Sequence, residues 1–73
     1  MTRPSGLRKR SVSLAGHATS IALEPEFWAT LEAMARARGA SLAALVASID
    51  DERGQRPLAS ACRVAALEFA KAT

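Results

Sequence analysis

The feature that most constrains the fold is a short segment in which apolar and small residues alternate with a period of two. Thr19, Ile21 and Leu23 alternate with Ala18, Ser20 and Ala22, a pattern typical of a β-strand with one buried face. A strand cannot satisfy its backbone N–H and C=O groups alone, and its exposed edge invites pairing. The pattern therefore predicts a partner strand.

The partner strand has two candidates. In residues 10–14, apolar and polar side chains also alternate. One possibility is that this segment folds back on residues 18–23 as a hairpin across residues 15–17. The other is that residues 18–23 pair with the same strand of a second subunit. We favour pairing between subunits, because a chain of 73 residues forms one domain at most and its core usually needs extra support. One cysteine and one histidine provide neither an intramolecular disulfide nor a tetrahedral zinc site within one subunit.

Two amphipathic helices are predicted after the strand. Pro25 suits the first helical turn, where its missing N–H is no loss, and Gly39 suits the position after a helix end. The first helix is thus predicted over Pro25–Arg38. After a turn of two residues, Ser41 is a good N-cap for a second helix that ends near residues 50–52. Its apolar residues recur at helical spacing: Leu42, Leu45, Val46 and Ile49.

A third helix is predicted over residues 58–72, after a loop that contains Gly54 and Pro57. One stripe of this helix carries Leu58, Cys62, Ala65 and Phe69. We expect Cys62 to be a small packing residue. The predicted organisation is a flexible basic arm over residues 1–9 and a single domain over residues 10–73.

Positive charge is concentrated at the two ends of the chain. Residues 1–23 contain four basic residues and no acidic one, whereas residues 24–52 contain six acidic residues against two arginines. A basic segment attracts polyanions. We therefore predict that Arg8, Lys9 and Arg10 contact phosphates.

Other classes of function are disfavoured. No apolar run approaches the roughly 20 residues of a membrane span, so we expect a cytoplasmic protein without membrane contact. The acidic run Asp50–Glu52 has no nucleophile or base beside it, so we expect no enzyme activity, no metal and no cofactor. Phe27 and Trp28 are candidate stacking platforms for single-stranded nucleic acid, but their place in an amphipathic helix favours the core or a dimer interface.

The order of strand, proline-started helix, glycine turn and serine-capped helix resembles the ribbon-helix-helix superfamily of the Arc and methionine repressors. The matching stretch runs from Thr19 through Phe27 and Gly39–Leu42 to Ile49. Lys9–Val12, Gly16–His17 and Leu58–Val64 further resemble a bacterial subfamily with an additional C-terminal helix. The resemblance implies a mostly α homodimer in which one short β-strand from each subunit forms an antiparallel ribbon.

The resemblance also implies how the residues divide between DNA and the dimer. The ribbon would enter the major groove of double-stranded DNA, with Ala18, Ser20 and Ala22 facing bases. Ser41, at the start of the second helix, would hold a phosphate. The implied dimer core contains Thr19, Ile21, Leu23, Phe27, Trp28, Leu31, Leu45 and Ile49.

The sequence departs from the pattern on the base-facing side, where relatives commonly place long polar side chains. Alanine offers at most a methyl contact to thymine, and serine offers one hydrogen bond. Base reading would then involve His17, Arg10 with the arm, or DNA shape; a local hydrogen-bonding role is the alternative for His17. We expect a dimeric DNA-binding regulator that acts as a repressor. The alternative is an antitoxin-like or scaffold module that binds a partner protein through its C-terminal helix.

Overall fold

The computed structural model of the chain describes residues 6–72 and contains two strands followed by three helices. The elements are β1 (Arg8–Leu14), β2 (His17–Leu23), α1 (Pro25–Arg38), α2 (Leu42–Glu52) and α3 (Leu58–Ala72). The predicted mostly α class with a third C-terminal helix is confirmed.

The two strands form an antiparallel hairpin within one chain. Residues 10–14 therefore do form a second strand, and the hairpin, the less favoured of the two alternatives, is the one that the structure contains. The tight turn is the physical reason. Ala15 and Gly16 have φ values of 51° and 84°, and a two-residue turn with positive φ at both positions matches the twist of paired strands. The pairing between subunits that we favoured for β2 is replaced, on this edge of the strand, by pairing within the chain.

Ala15 is strained in this turn, and relieving the strain should stabilise the hairpin. A residue with a Cβ atom costs roughly 1–2 kcal/mol in the left-handed region, whereas asparagine tolerates it better. We expect Ala15→Asn to raise the free energy of unfolding by about 0.5–1 kcal/mol, measured by chemical denaturation. The matched control is Ala18→Asn on the exposed side of β2. Equal effects of the two changes would contradict the assignment of strain to the turn.

The predicted arm over residues 1–9 is partly corrected. Residues 1–5 lie outside the described residues, and Arg8 and Lys9 are the first two residues of β1. The reason lies in the register: Arg8 pairs with Leu23 and Lys9 with Ala22, so β1 extends as far as β2 offers backbone partners. The folded part of the chain thus begins before residue 10.

The core lies between the inner face of the hairpin and the helices. On β2, Ile21 and Leu23 are buried while Ala18 and Ser20 are exposed. The buried and exposed sides of the strand are therefore those that the alternation predicts. α2 packs against β1, and α3 packs against α1, α2 and β2. The buried residues that the helices contribute are Trp28, Leu31, Met34, Ala35, Leu45, Val46, Ile49, Ala61, Cys62 and Ala66.

The helix ends follow the local signals in the sequence. Gly39 ends α1 in the left-handed conformation, at φ 66°, which a residue without a Cβ atom adopts at no steric cost. The Ser41 hydroxyl accepts a hydrogen bond of 3.0 Å from the Ala44 backbone N–H and so caps α2. The predicted bounds of α1 and the N-cap of α2 are confirmed.

Candidate nucleic-acid interface

The hairpin turns one face away from the helices. Residues directly opposite each other in an antiparallel pair lie on the same side of a sheet, and the register therefore places six side chains on this outer side. We call this surface the ribbon face; it consists of Lys9, Ser11, Ser13, Ala18, Ser20 and Ala22. All six are exposed except Ala22, which is half-buried.

The ribbon face contains more polar side chains than the three base-facing residues that were predicted from the sequence. Ala18, Ser20 and Ala22 were predicted to face bases, but Ser11 lies directly opposite Ser20 and Ser13 opposite Ala18. The two serines of β1 were missed as site residues because β2 was expected to form the ribbon with a second subunit. Their alternation with Val12 and Leu14, which are buried, is the signal in the sequence that could have identified them.

The basic cluster of residues 8–10 is divided between the two sides of the hairpin. Lys9 belongs to the ribbon face and makes no ion pair with any residue of the described range 6–72. Arg10 lies on the helix-facing side, where its guanidinium is 2.9 Å from the Glu32 carboxylate and 4.8 Å from the centre of the Trp28 ring system. Arg8 has the same orientation, opposite Leu23. The side chains of Arg8 and Arg10 therefore lie on the opposite side of β1 from the side chain of Lys9.

A groove of about 380 Å³ runs between the start of β1 and α1. Its lining residues are Arg8, Lys9, Arg10, Pro25, Trp28, Ala29 and Glu32. The Trp28 indole N–H donates a hydrogen bond of 2.9 Å to the Arg8 carbonyl oxygen. Because Trp28 is only 4% exposed, its ring is a core element that positions β1. It is not a stacking platform for a base.

His17, which was predicted to contact DNA, and Thr19, which was predicted for the dimer core, lie on the same side of β2. Both are on the helix-facing side, His17 opposite Leu14 and Thr19 opposite Val12. His17 is exposed beside the turn, and its side chain forms no hydrogen bond within residues 6–72. Its imidazole therefore lies at the tip of the hairpin and outside the ribbon face.

Most residues that were predicted to form a dimer core are already buried within one chain. They are Ile21, Leu23, Trp28, Leu31, Leu45 and Ile49, none more than 9% exposed. Thr19 and Phe27 are half-buried, and the Arg63 guanidinium lies 5.7 Å from the centre of the Phe27 ring. The buried residues of this set belong to the core on which the inner face of the hairpin packs.

Arg63 also joins α3 to the junction between β2 and α1. Its Nε lies 3.1 Å from a Glu24 carboxylate oxygen. The pKa of this carboxyl is held below its ordinary value by two hydrogen bonds. The larger effect comes from the main chain of Glu24 itself, and the smaller one comes from the Arg63 side chain. Since α1 begins directly after Glu24, this contact ties the third helix to the base of the hairpin.

Cys62 is the one cysteine of the chain. Cys62 is fully buried in the core, and burial raises the pKa of its thiol, which disfavours the reactive thiolate. Within residues 6–72, no group of three or more histidine, cysteine or acidic side chains is placed to hold a metal ion. In the same range, no helix is long and apolar enough to cross a membrane.

The two-stranded ribbon of β1 and β2 is followed by the helices α1 and α2, which is the order of elements in a ribbon-helix-helix domain. The family model described as "Ribbon-helix-helix domain" matches residues 7–70, and the chain belongs to this family. Members of the family commonly bind DNA as dimers in transcription regulation. No significant match was found among curated proteins or among solved structures.

Proposed function

We propose that this protein is a homodimeric, DNA-binding repressor of transcription that places its ribbon face on the major groove. The observation that carries the proposal is the ribbon face itself: an exposed surface of short polar and apolar side chains with an unpaired lysine at one end. A major groove about 12 Å wide admits a two-stranded ribbon. Short side chains let the backbone approach base edges closely, and Lys9 supplies charge for phosphates.

The free edge of β2 supports a dimer. In a hairpin closed by a two-residue turn, the backbone groups of Ala18, Ser20 and Ala22 point away from β1. β2 contains no proline and no lysine or arginine, so it lacks the usual protection against edge pairing. Two copies would join through β2 into a four-stranded sheet. Sedimentation at micromolar concentration is expected to give about twice the 7.7 kDa of one chain.

Ser41 keeps its proposed role at the start of α2. The residue is exposed and its hydroxyl caps the helix, where free backbone N–H groups favour an anion. In the proposed complex this helix start holds a phosphate and fixes the register of the ribbon on DNA.

A protein-interaction module remains the second candidate, and one observation favours it. A groove of about 310 Å³ lies between the end of α2 and α3, with Ile49, Ala61 and Val64 in its wall. Val64 and Leu67 of α3 are 37% and 54% exposed. A partner protein that covers these apolar side chains would bind on α3 and leave the ribbon face free.

Two single substitutions with the same change of charge test the DNA proposal. Lys9→Ala should flatten the dependence of log K on log salt by up to about 2 units per dimer, at about 0.9 per phosphate contact. Arg10→Ala should flatten it less, because Glu32 and Trp28 already hold the guanidinium. The measurement is a titration of duplex DNA from the region upstream of the coding sequence, across a salt series.

The wild-type protein decides between the two candidate functions. Binding to that DNA at low salt, with a slope that Lys9→Ala reduces, supports the DNA proposal. If the wild type does not bind even at low salt, the proposal fails and the interaction module becomes the better explanation. If Arg10→Ala changes the slope as much as Lys9→Ala, the assignment of Lys9 as the principal phosphate contact is wrong.

A further inference from the structure

A ribbon made of one β2 strand from each subunit would have two strands. In this protein each subunit also contributes β1 to the sheet. The hairpin pairs all seven residues of β1 with β2, and β1 adds Lys9, Ser11 and Ser13 to the ribbon face. If two copies join through β2, each β1 becomes an outer strand of the sheet. The function of these outer strands follows from the width of the sheet.

Four strands are too wide to reach the floor of the groove together. Neighbouring strands lie about 4.8 Å apart, so the axes of four strands span roughly 14 Å, more than the roughly 12 Å of the major groove. The two central strands therefore face the base edges, and the two outer strands meet the sugar-phosphate backbones at the walls.

The chemistry of β1 fits such a position. The outward residues of β1 are a lysine and two serines, all exposed, and ammonium and hydroxyl groups commonly bind phosphate oxygens. By contrast, β2 contributes two alanines and one serine, which suit close contact with base edges. The two strands thus differ in their ability to donate hydrogen bonds.

We propose that β1 is a backbone-contacting strand, in which Ser11 and Ser13 donate hydrogen bonds to DNA phosphates and position β2 for reading bases. This inference rests on the proposed function and names the positioning residues of the same site. It distinguishes two kinds of serine on one surface: Ser11 and Ser13 contribute affinity for any duplex, and Ser20 contributes preference for one sequence.

The experiment compares three variants on two duplexes, the upstream DNA and a scrambled duplex of the same composition. The double variant Ser11→Ala/Ser13→Ala should bind both duplexes at least about thirtyfold more weakly, since it removes four hydrogen bonds to phosphate oxygens per dimer, each worth a factor of about two or more. Its preference for the upstream DNA and its salt slope should stay unchanged, because serine carries no charge. Ser20→Ala should reduce binding to the upstream DNA alone.

A conservative double variant separates contact from structure. Ser11→Thr/Ser13→Thr keeps both hydroxyls and suits a strand, so it should bind as the wild type does; thermal melting checks that each variant is folded. A loss of preference in the alanine variant would overturn the proposal, because β1 would then read bases. Unchanged binding to both duplexes, or equal losses in the threonine and alanine variants, would also overturn it. If the wild type binds neither duplex, both this inference and the proposed function fail.

Discussion

Replacing Ile21 with aspartate is expected to unfold the protein. Ile21 is 4% exposed at the centre of β2, in the inner face of the hairpin. An unpaired carboxylate there costs several kcal/mol, whereas a domain of 73 residues has a total stability of roughly 4–11 kcal/mol. Circular dichroism should show the loss of the cooperative thermal transition. Because Ile21 is buried within a single chain, the loss is expected whether or not the protein dimerises.

Ser20→Asp is the matched control for this prediction. It introduces the same carboxylate one position earlier, on the exposed ribbon face opposite Ser11. Because successive side chains of a strand point to opposite sides, this variant should keep a cooperative melt. Its midpoint should lie close to that of the wild type. If Ser20→Asp unfolds the protein and Ile21→Asp does not, the register of β2 is shifted by one residue.

Local signals sufficed to predict the helices from sequence. Pro25, Gly39 and Ser41 act through backbone geometry and hydrogen bonds within a few residues of themselves. The pattern of β2 was equally readable, because the period of two separates a buried side chain such as Ile21 from an exposed one such as Ser20. These predictions required no knowledge of distant contacts.

The partner of β2 could not be read with the same certainty. Both a hairpin and a second subunit satisfy the strand, and pairing between subunits was favoured because the core of so short a chain usually needs extra support. The turn that the structure contains places Ala15 at φ 51°, where alanine is an uncommon residue. The cost at one residue is small beside seven paired positions in β1 and β2.

The residues of the ribbon face were predicted in part for the same reason. Ala18, Ser20 and Ala22 were placed on the correct side of β2, but Ser11 and Ser13 gained their position only through the hairpin. The position of Arg10 depended on Glu32 and Trp28, more than 15 residues away in the sequence. Charge density alone marked residues 8–10 as basic, and it could not show which side of a strand each of them faces.

Trp28→Ala is expected to have the second-largest effect. Trp28 is the only tryptophan of the chain, is 4% exposed and connects α1 to β1 through the hydrogen bond to Arg8. Truncation of a buried tryptophan to alanine typically costs about 3–5 kcal/mol, a large share of the total stability. Chemical denaturation followed by circular dichroism is the appropriate measurement, since the variant lacks the intrinsic fluorophore.

Trp28→Phe separates the packing of the ring from its hydrogen bond. Phenylalanine keeps an aromatic surface beneath Arg10 but lacks the N–H that bonds to the Arg8 carbonyl, so the loss should be smaller, about 1–2 kcal/mol for a hydrogen bond and a small cavity. The matched change Phe27→Ala removes a neighbouring, half-buried ring and should cost less than Trp28→Ala. If Phe27→Ala destabilises the protein more, then α1 is held mainly through Arg63 and α3. In that case the contact between Trp28 and β1 is not what fixes the start of the hairpin, and the ribbon face depends on the third helix for its position.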